Sequence, residues 1–114
     1  GLTRHENAES LLEKARGGRR DLLHYLASQA LAHVKAEKGD FEGAAELYRG
    51  LIGDPKNPFP KDCLLFGLAQ AQEQAGHLEE AQRSYHRFLN EYSDSQLRGQ
   101  VQQRSDLLEL RLGT

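Results

Sequence analysis

The chain has 114 residues and a net charge of −2, and 28% of its side chains are charged. That length suffices for one domain with a modest core, but the charge balance supplies neither the basic footprint of a nucleic-acid binder nor a polybasic lipid signal. The longest run of apolar residues and glycine, Leu64 to Ala69, is far too short to cross a bilayer, and a single cysteine, Cys63, excludes an internal disulfide or a cysteine-built zinc site.

No methionine is present and the chain opens on Gly1. This reads as a piece excised or processed from a longer protein. No secretory leader with a charged start and apolar middle is visible. A membrane anchor upstream is compatible with the sequence, and no membrane contact is expected within these residues.

Taken in chain order, the first predicted helix spans about 5–16, with Ala8, Leu11, Leu12 and Ala15 at helical spacing. Gly17 and Gly18 stop it. A second runs from about 20 to 38, with an apolar face of Leu23, Ala27, Ala30, Leu31 and Val34 and with Leu26 on the flank; Gly39 closes it. A third spans 41–52 behind a capping Asp40 and carries the stripe Ala44, Ala45, Tyr48, Leu51 and Ile52. Pro55, Pro58 and Pro60 then impose a loop, and Pro60 is placed to open the next helix. Helices over 61–75 and 78–92 follow, separated by Gly76. A last one runs from about 95 to 112, and no strand pattern appears.

Two stretches repeat. Gly39, Phe41, Ala44 and Tyr48 recur 37 residues later as Gly76, Leu78, Ala81 and Tyr85, and the same shift carries Leu31 to Leu68, Ala32 to Ala69 and Leu51 to Phe88. Each glycine ends one helix and lets the chain turn back. The alanine five positions on lets two helices approach closely. The pattern resembles the tetratricopeptide repeat, a helix–turn–helix unit. The departures are Ser28 and Leu65 where an aromatic is usual, Ser93 where a proline is usual, and a longer period that the proline-rich loop explains.

The resemblance covers about 22–95. It implies an all-α, tetratricopeptide-like α–α superhelix made of two helix hairpins, over about 22–58 and 59–95, within one domain. The helices at the two ends would serve as caps, or the first would be the second half of an incomplete repeat. A narrower resemblance, carried by the string from Ala81 to Ser95, is to bacterial cell-envelope members of the family, namely outer-membrane assembly lipoproteins and the ancillary subunit of the Sec translocon. It implies a periplasmic or membrane-anchored protein, against a cytoplasmic one otherwise.

Chemistry is sparse. The histidines His5, His24, His33, His77 and His86 show no metal-ligand spacing, Glu79 and Glu80 point to different sides of a helix, and no phosphate loop, dinucleotide fingerprint or nucleophile elbow occurs. Gly17-Gly18-Arg19-Arg20 reads as a helix stop followed by basic residues, and Cys63 as a small buried or half-buried hydrophobe. Neither an enzyme nor a cofactor is expected.

What remains is surface. The resemblance implies a concave groove lined by Leu26, Gln29 and His33 and then by Phe66, Gln70 and Gln74, with Phe66 either a peptide anchor or packed beneath a neighbouring helix. These positions lack the lysine, asparagine and arginine clamp with which some members hold acidic C-terminal peptides, so such peptides are not expected to bind strongly. The function expected is binding of a protein or peptide segment as a scaffold or chaperone-assembly module. The alternative is pairing with a second copy through Leu107, Leu108, Leu110 and Leu112 of the last helix.

Overall fold

A computed structural model describes residues 4–17 and 21–113, and for residues 4–6 the backbone alone. Gly1, Gly18, Arg19 and Arg20 therefore lie outside the described residues, as does the side chain of His5. Among the described residues there are six helices and no strand: α1 Arg4–Arg16, α2 Leu22–Glu37, α3 Phe41–Ile52, α4 Lys61–Gln74, α5 Leu78–Glu91 and α6 Arg98–Leu112. They divide into two compact units, Gly1–Phe59 and Pro60–Thr114.

In the first unit α2 packs against both α1 and α3. The turn between α2 and α3 is set by Gly39 at φ +93°. The Gly39 amide donates to the Ala36 carbonyl and the Asp40 amide to the Lys35 carbonyl, so the last carbonyls of α2 are answered by a Schellman closure. Asp40 then begins the next helix, its Oδ1 accepting from the Gly43 amide at 3.0 Å. That carboxylate crowds the place a side chain on Gly43 would take, so a larger residue there would push the capping group aside. Ala32 and Ala44 are completely buried, as the small residues of the repeat predicted.

The sequence pattern placed the apolar face of α2 on Leu23, Ala27, Ala30, Leu31 and Val34. The structure rotates it: Tyr25, Ala27, Ser28, Leu31 and Ala32 are buried, while Leu23 is 57% exposed and Ala30 is exposed too. The physical reason is that a helix covered on two sides buries a wide arc, and polar side chains inside the arc have partners. The Tyr25 hydroxyl donates to Asp54 at 2.9 Å, and Ser28 receives Arg16 Nε at 3.1 Å while donating to the His24 carbonyl. The proline-rich loop is itself fastened by buried Asn57, whose amide donates to the Leu51 carbonyl and whose oxygen accepts from the Phe59 amide.

Helix α1 contributes half-buried Ala8, Leu12 and Ala15, a thin apolar contact, and is held to α2 by charge at one end. Glu9 receives Lys35 at 2.7 Å and Lys38 at 2.6 Å. These two ammonium groups pull the Glu9 carboxyl down from its ordinary 4.5 to about 2, and Glu9 in turn pushes Lys35 up. At the other end of α1, the Arg16 carbonyl meets the His24 ring at 2.7 Å.

The second unit repeats the plan, with α5 packed between α4 and α6. Gly76 sits at φ +88°, and the His77 amide reaches the Gln72 carbonyl as Asp40 reaches Lys35. Leu64, Leu65, Ala69, Ala81, Tyr85, Phe88, Val101 and Leu108 form its core. Buried polar side chains pair within it. Ser84 donates to Gln72 at 2.6 Å, and Gln82 and Ser105 exchange two bonds at 3.1 and 3.2 Å. Tyr85 donates to Glu73 at 2.8 Å, and burial together with that carboxylate pushes its phenol well above the ordinary range. The last helix begins at Arg98, later than the expected Ser95. Ser95 is engaged otherwise: its hydroxyl donates to Asp62 at 2.7 Å and accepts the Leu97 amide, holding a turn ahead of the helix.

The period extends beyond the second hairpin: α6 starts at Arg98, the same 37-residue step after Lys61 of α4. By this phase α6 is of the first-helix type.

Three outcomes follow for stability. Alanine at Gly39 or Gly76 must adopt a left-handed backbone and should cost roughly 1–2 kcal/mol in denaturant unfolding. Alanine at Gly50, inside α3 with open space around its Cα, should instead stabilise by about 0.5–1 kcal/mol. For Glu9, the folded-state pKa lies below the unfolded one, so its contribution is present above pH 4.5 and fades as pH falls towards about 2. The stability difference between wild type and Glu9→Gln should therefore be largest near neutrality and vanish across that window.

Candidate functional site

The residues expected to line a groove are distributed over both units, and each helix is described by itself. On α2, Leu26 is 48% exposed, Gln29 is half-buried and His33 is exposed. His33 Nε2 meets Glu37 one turn on at 2.7 Å, both side chains remaining in solvent. Leu22 and Leu23 lie beside Leu26 at the start of the helix, 59% and 57% exposed. Three leucines thus crowd one end of an open helix face, where the sequence pattern put Leu23 in the core and Leu26 on its flank.

On α4, Gln74 is exposed and Gln70 half-buried. Phe66 is half-buried, with its ring 6.5 Å from those of both Tyr85 and Phe88. The phenyl group thus packs within its own hairpin, and only part of it faces solvent. Cys63 is exposed, which corrects the expectation of a buried or half-buried hydrophobe. Partial desolvation and the neighbouring Asp62 carboxylate push its thiol up, disfavouring the nucleophilic thiolate.

The leucines of α6 separate into two groups. Leu108 is completely buried against its own unit and is withdrawn from any docking face, correcting the expected set. Leu112 is half-buried, while Leu107 and Leu110 are 51% and 77% exposed. The cause is helical geometry: Val101, Ser105 and Leu108 lie on the side packed against α5, and Leu107 and Leu110 project away from it.

Among the described residues no group of three histidine, cysteine or acidic side chains could hold a metal ion, and no helix is long and apolar enough to cross a membrane. The His24 ring is bonded to the Arg16 carbonyl, and His86 faces Glu109 at 3.5 Å. A small depression of about 100 Å³ is lined by Arg16, His24, Ser28, Glu46 and Asp54 among others. Arg16, His24 and Ser28 are engaged in the hydrogen bonds that tie α1 to α2, and Asp54 holds Tyr25.

Comparison with known proteins adds one positive finding. Residues 64–95, which include most of α4, all of α5 and the turn beyond, match the family model described as tetratricopeptide repeat. Neither curated proteins nor solved structures gave a significant match. The matched segment contains Ala69, Gly76, Leu78, Ala81 and Tyr85, the residues whose spacing first carried the resemblance. The fold is accordingly an all-α, tetratricopeptide-like helical repeat, and the chain carries a tetratricopeptide repeat over residues 64–95.

Proposed function

We propose that this chain is a protein-interaction module that holds a helical or extended partner segment on the open face of α2, with Leu26 as the principal anchor. Tetratricopeptide repeats generally mediate protein–protein interaction. The observation that carries the finer reading is the group Leu22, Leu23 and Leu26, each about half exposed and confined to one end of one helix. Scattered exposed leucines are ordinary, whereas grouped ones mark contact sites. Covering the exposed half of each is worth about 1 kcal/mol. Gln29 and His33 continue the face with hydrogen-bonding groups, a mixture suited to an amphipathic segment. In the second unit the corresponding face of α4 offers Gln70, Gln74 and the accessible part of Phe66 as a contact of its own. No lysine–asparagine–arginine clamp occupies these positions, so the partner segment is recognised by apolar side chains and not by a terminal carboxylate.

The test is selection of peptides from a displayed library against the chain, followed by calorimetry. Selected peptides should be amphipathic, and Leu26→Glu should weaken them at least about tenfold, or about 1.4 kcal/mol, without changing helicity. Peptides bound equally well by wild type, Leu26→Glu and Leu22→Glu would place the binding surface elsewhere.

A further inference from the structure

None of the described side chains of α1 is buried, whereas each of the other five helices buries at least three. The thinness lies in the joint with α2 itself, because the side chains that reach α2 are among the half-buried ones: Glu9 on Lys35 and Lys38, and Arg16 on Ser28. Glu9 and Arg16 are seven residues apart, and so are Ser28 and Lys35. Two helices joined at both pairs run antiparallel and in step. The same spacing sets half-buried Leu12 against Ala32, which is completely buried. Between two polar ends the α1 side of the joint thus offers only Leu12 and the methyl groups of Ala8 and Ala15.

The two ends differ in what loosens them. At the first, Glu9 receives the ammonium groups of Lys35 and Lys38, and Asp40 lies 3.5 Å from Lys35 as a competitor for it. The Glu9 and Lys38 side chains are 18% and 35% exposed, so dissolved ions reach the pair and screen it. Acid acts there too. The docked carboxyl sits at about 2 against an ordinary 4.5, so the attraction is present above pH 4.5 and lost as pH falls towards 2. The second end is held by hydrogen bonds: Arg16 Nε donates to Ser28 Oγ at 3.1 Å, and His24 Nδ1 lies 2.7 Å from the Arg16 carbonyl. A carbonyl only accepts, so Nδ1–H is the donor, and it donates whether or not Nε2 also carries a proton. Neither bond needs an ionised carboxylate. The other titratable groups at this end are Glu13, 4.0 Å from Arg16, Tyr25, whose ring lies 5.0 Å from that of His24, and Glu46 and Asp54, which line the same depression. We infer that α1 is a strap hinged at Arg16: salt or acid frees its Glu9 end from α2 while its Arg16 end stays tethered. A 13-residue helix that leaves its neighbour is marginal in water, so the freed end unwinds, its amides open to exchange and Leu12 is uncovered.

Amide exchange of the whole chain, followed residue by residue at one pH in about 0.05 M and about 1 M sodium chloride, tests this. The amides from Glu9 to Leu12 should be less protected than those of α2 and α3. Salt should lower their protection roughly fivefold, the scale of two partly exposed ion pairs. Glu9→Gln should start at the lowered level and respond no further to salt, and at about pH 3 wild type should approach it. Ser28→Ala removes the tether at the other end. It should lower the protection of Ala15 and Arg16 by a similar factor and leave Glu9 to Leu12 unchanged, because those amides exchange with the tether still made. Circular dichroism should show both variants folded. Protection from Glu9 to Leu12 that equals that of α2 and α3 overturns the inference, because α1 then opens only with the whole unit. Protection that neither salt nor Glu9→Gln lowers also overturns it. So does a Ser28→Ala variant that exposes Glu9 to Leu12 as much as Ala15 and Arg16, because α1 then leaves α2 as one piece.

Discussion

A helix that must hand its chain to another within two residues needs one residue in the left-handed region. Its final carbonyls must still find donors as the chain leaves. Gly39 and Gly76 meet the first requirement, and the amides of Asp40 and His77, reaching back to Lys35 and Gln72, meet the second. Because the same residues then start α3 and α5, each turn fixes where the next helix begins. Everything downstream inherits that register. The alanines Ala44 and Ala81 arrive at the buried side of their helices at a fixed distance from the glycine, and so do Tyr48 and Tyr85. Local freedom is tuned around it. Where Asp40 caps with its carboxylate, Gly43 leaves room; where His77 makes no side-chain cap, Glu80 stands at the matching position in the first turn, where a negative charge suits the helix dipole.

The cores add specificity through polar pairs. Gln82 with Ser105, Ser84 with Gln72 and Tyr85 with Glu73 are satisfied at once, and no buried side-chain polar atom among the described residues lacks a partner. Each such pair contributes only about 1 kcal/mol when formed, but breaking one strands a buried group at larger cost. A helix sliding by one turn would break several together. This helps a repeat chain, whose similar helices could otherwise exchange places, to keep one arrangement.

These pairs also explain what could be read from the residues alone. The repeat, the turn glycines, the buried alanines and the six helices follow from spacing and composition. The buried face of α2 does not, because Tyr25 and Ser28 look polar until Asp54 and Arg16 are seen beside them, and Leu23 looks like core until it is found in solvent. The start of α6 was misplaced for the same reason: Ser95 resembles a helix cap, but its hydroxyl is directed to Asp62, distant in sequence. For the candidate site, the resemblance implied an accessible face with Leu26 and His33, and both are exposed. Neither the resemblance nor the spacing could tell that Phe66 turns towards Tyr85 and Phe88, that Cys63 is exposed, or that Leu108 is buried. Those depend on which neighbouring helix each side of a helix meets.

The glycine turns are structural joints and not loops. Amide hydrogen exchange at single-residue resolution tests this most directly. The amides of Gly39, Asp40, Gly76 and His77 should be protected to the level of the helices they join. Exchange of these four at the rate of free loop amides, while α2 to α5 stay protected, would contradict it.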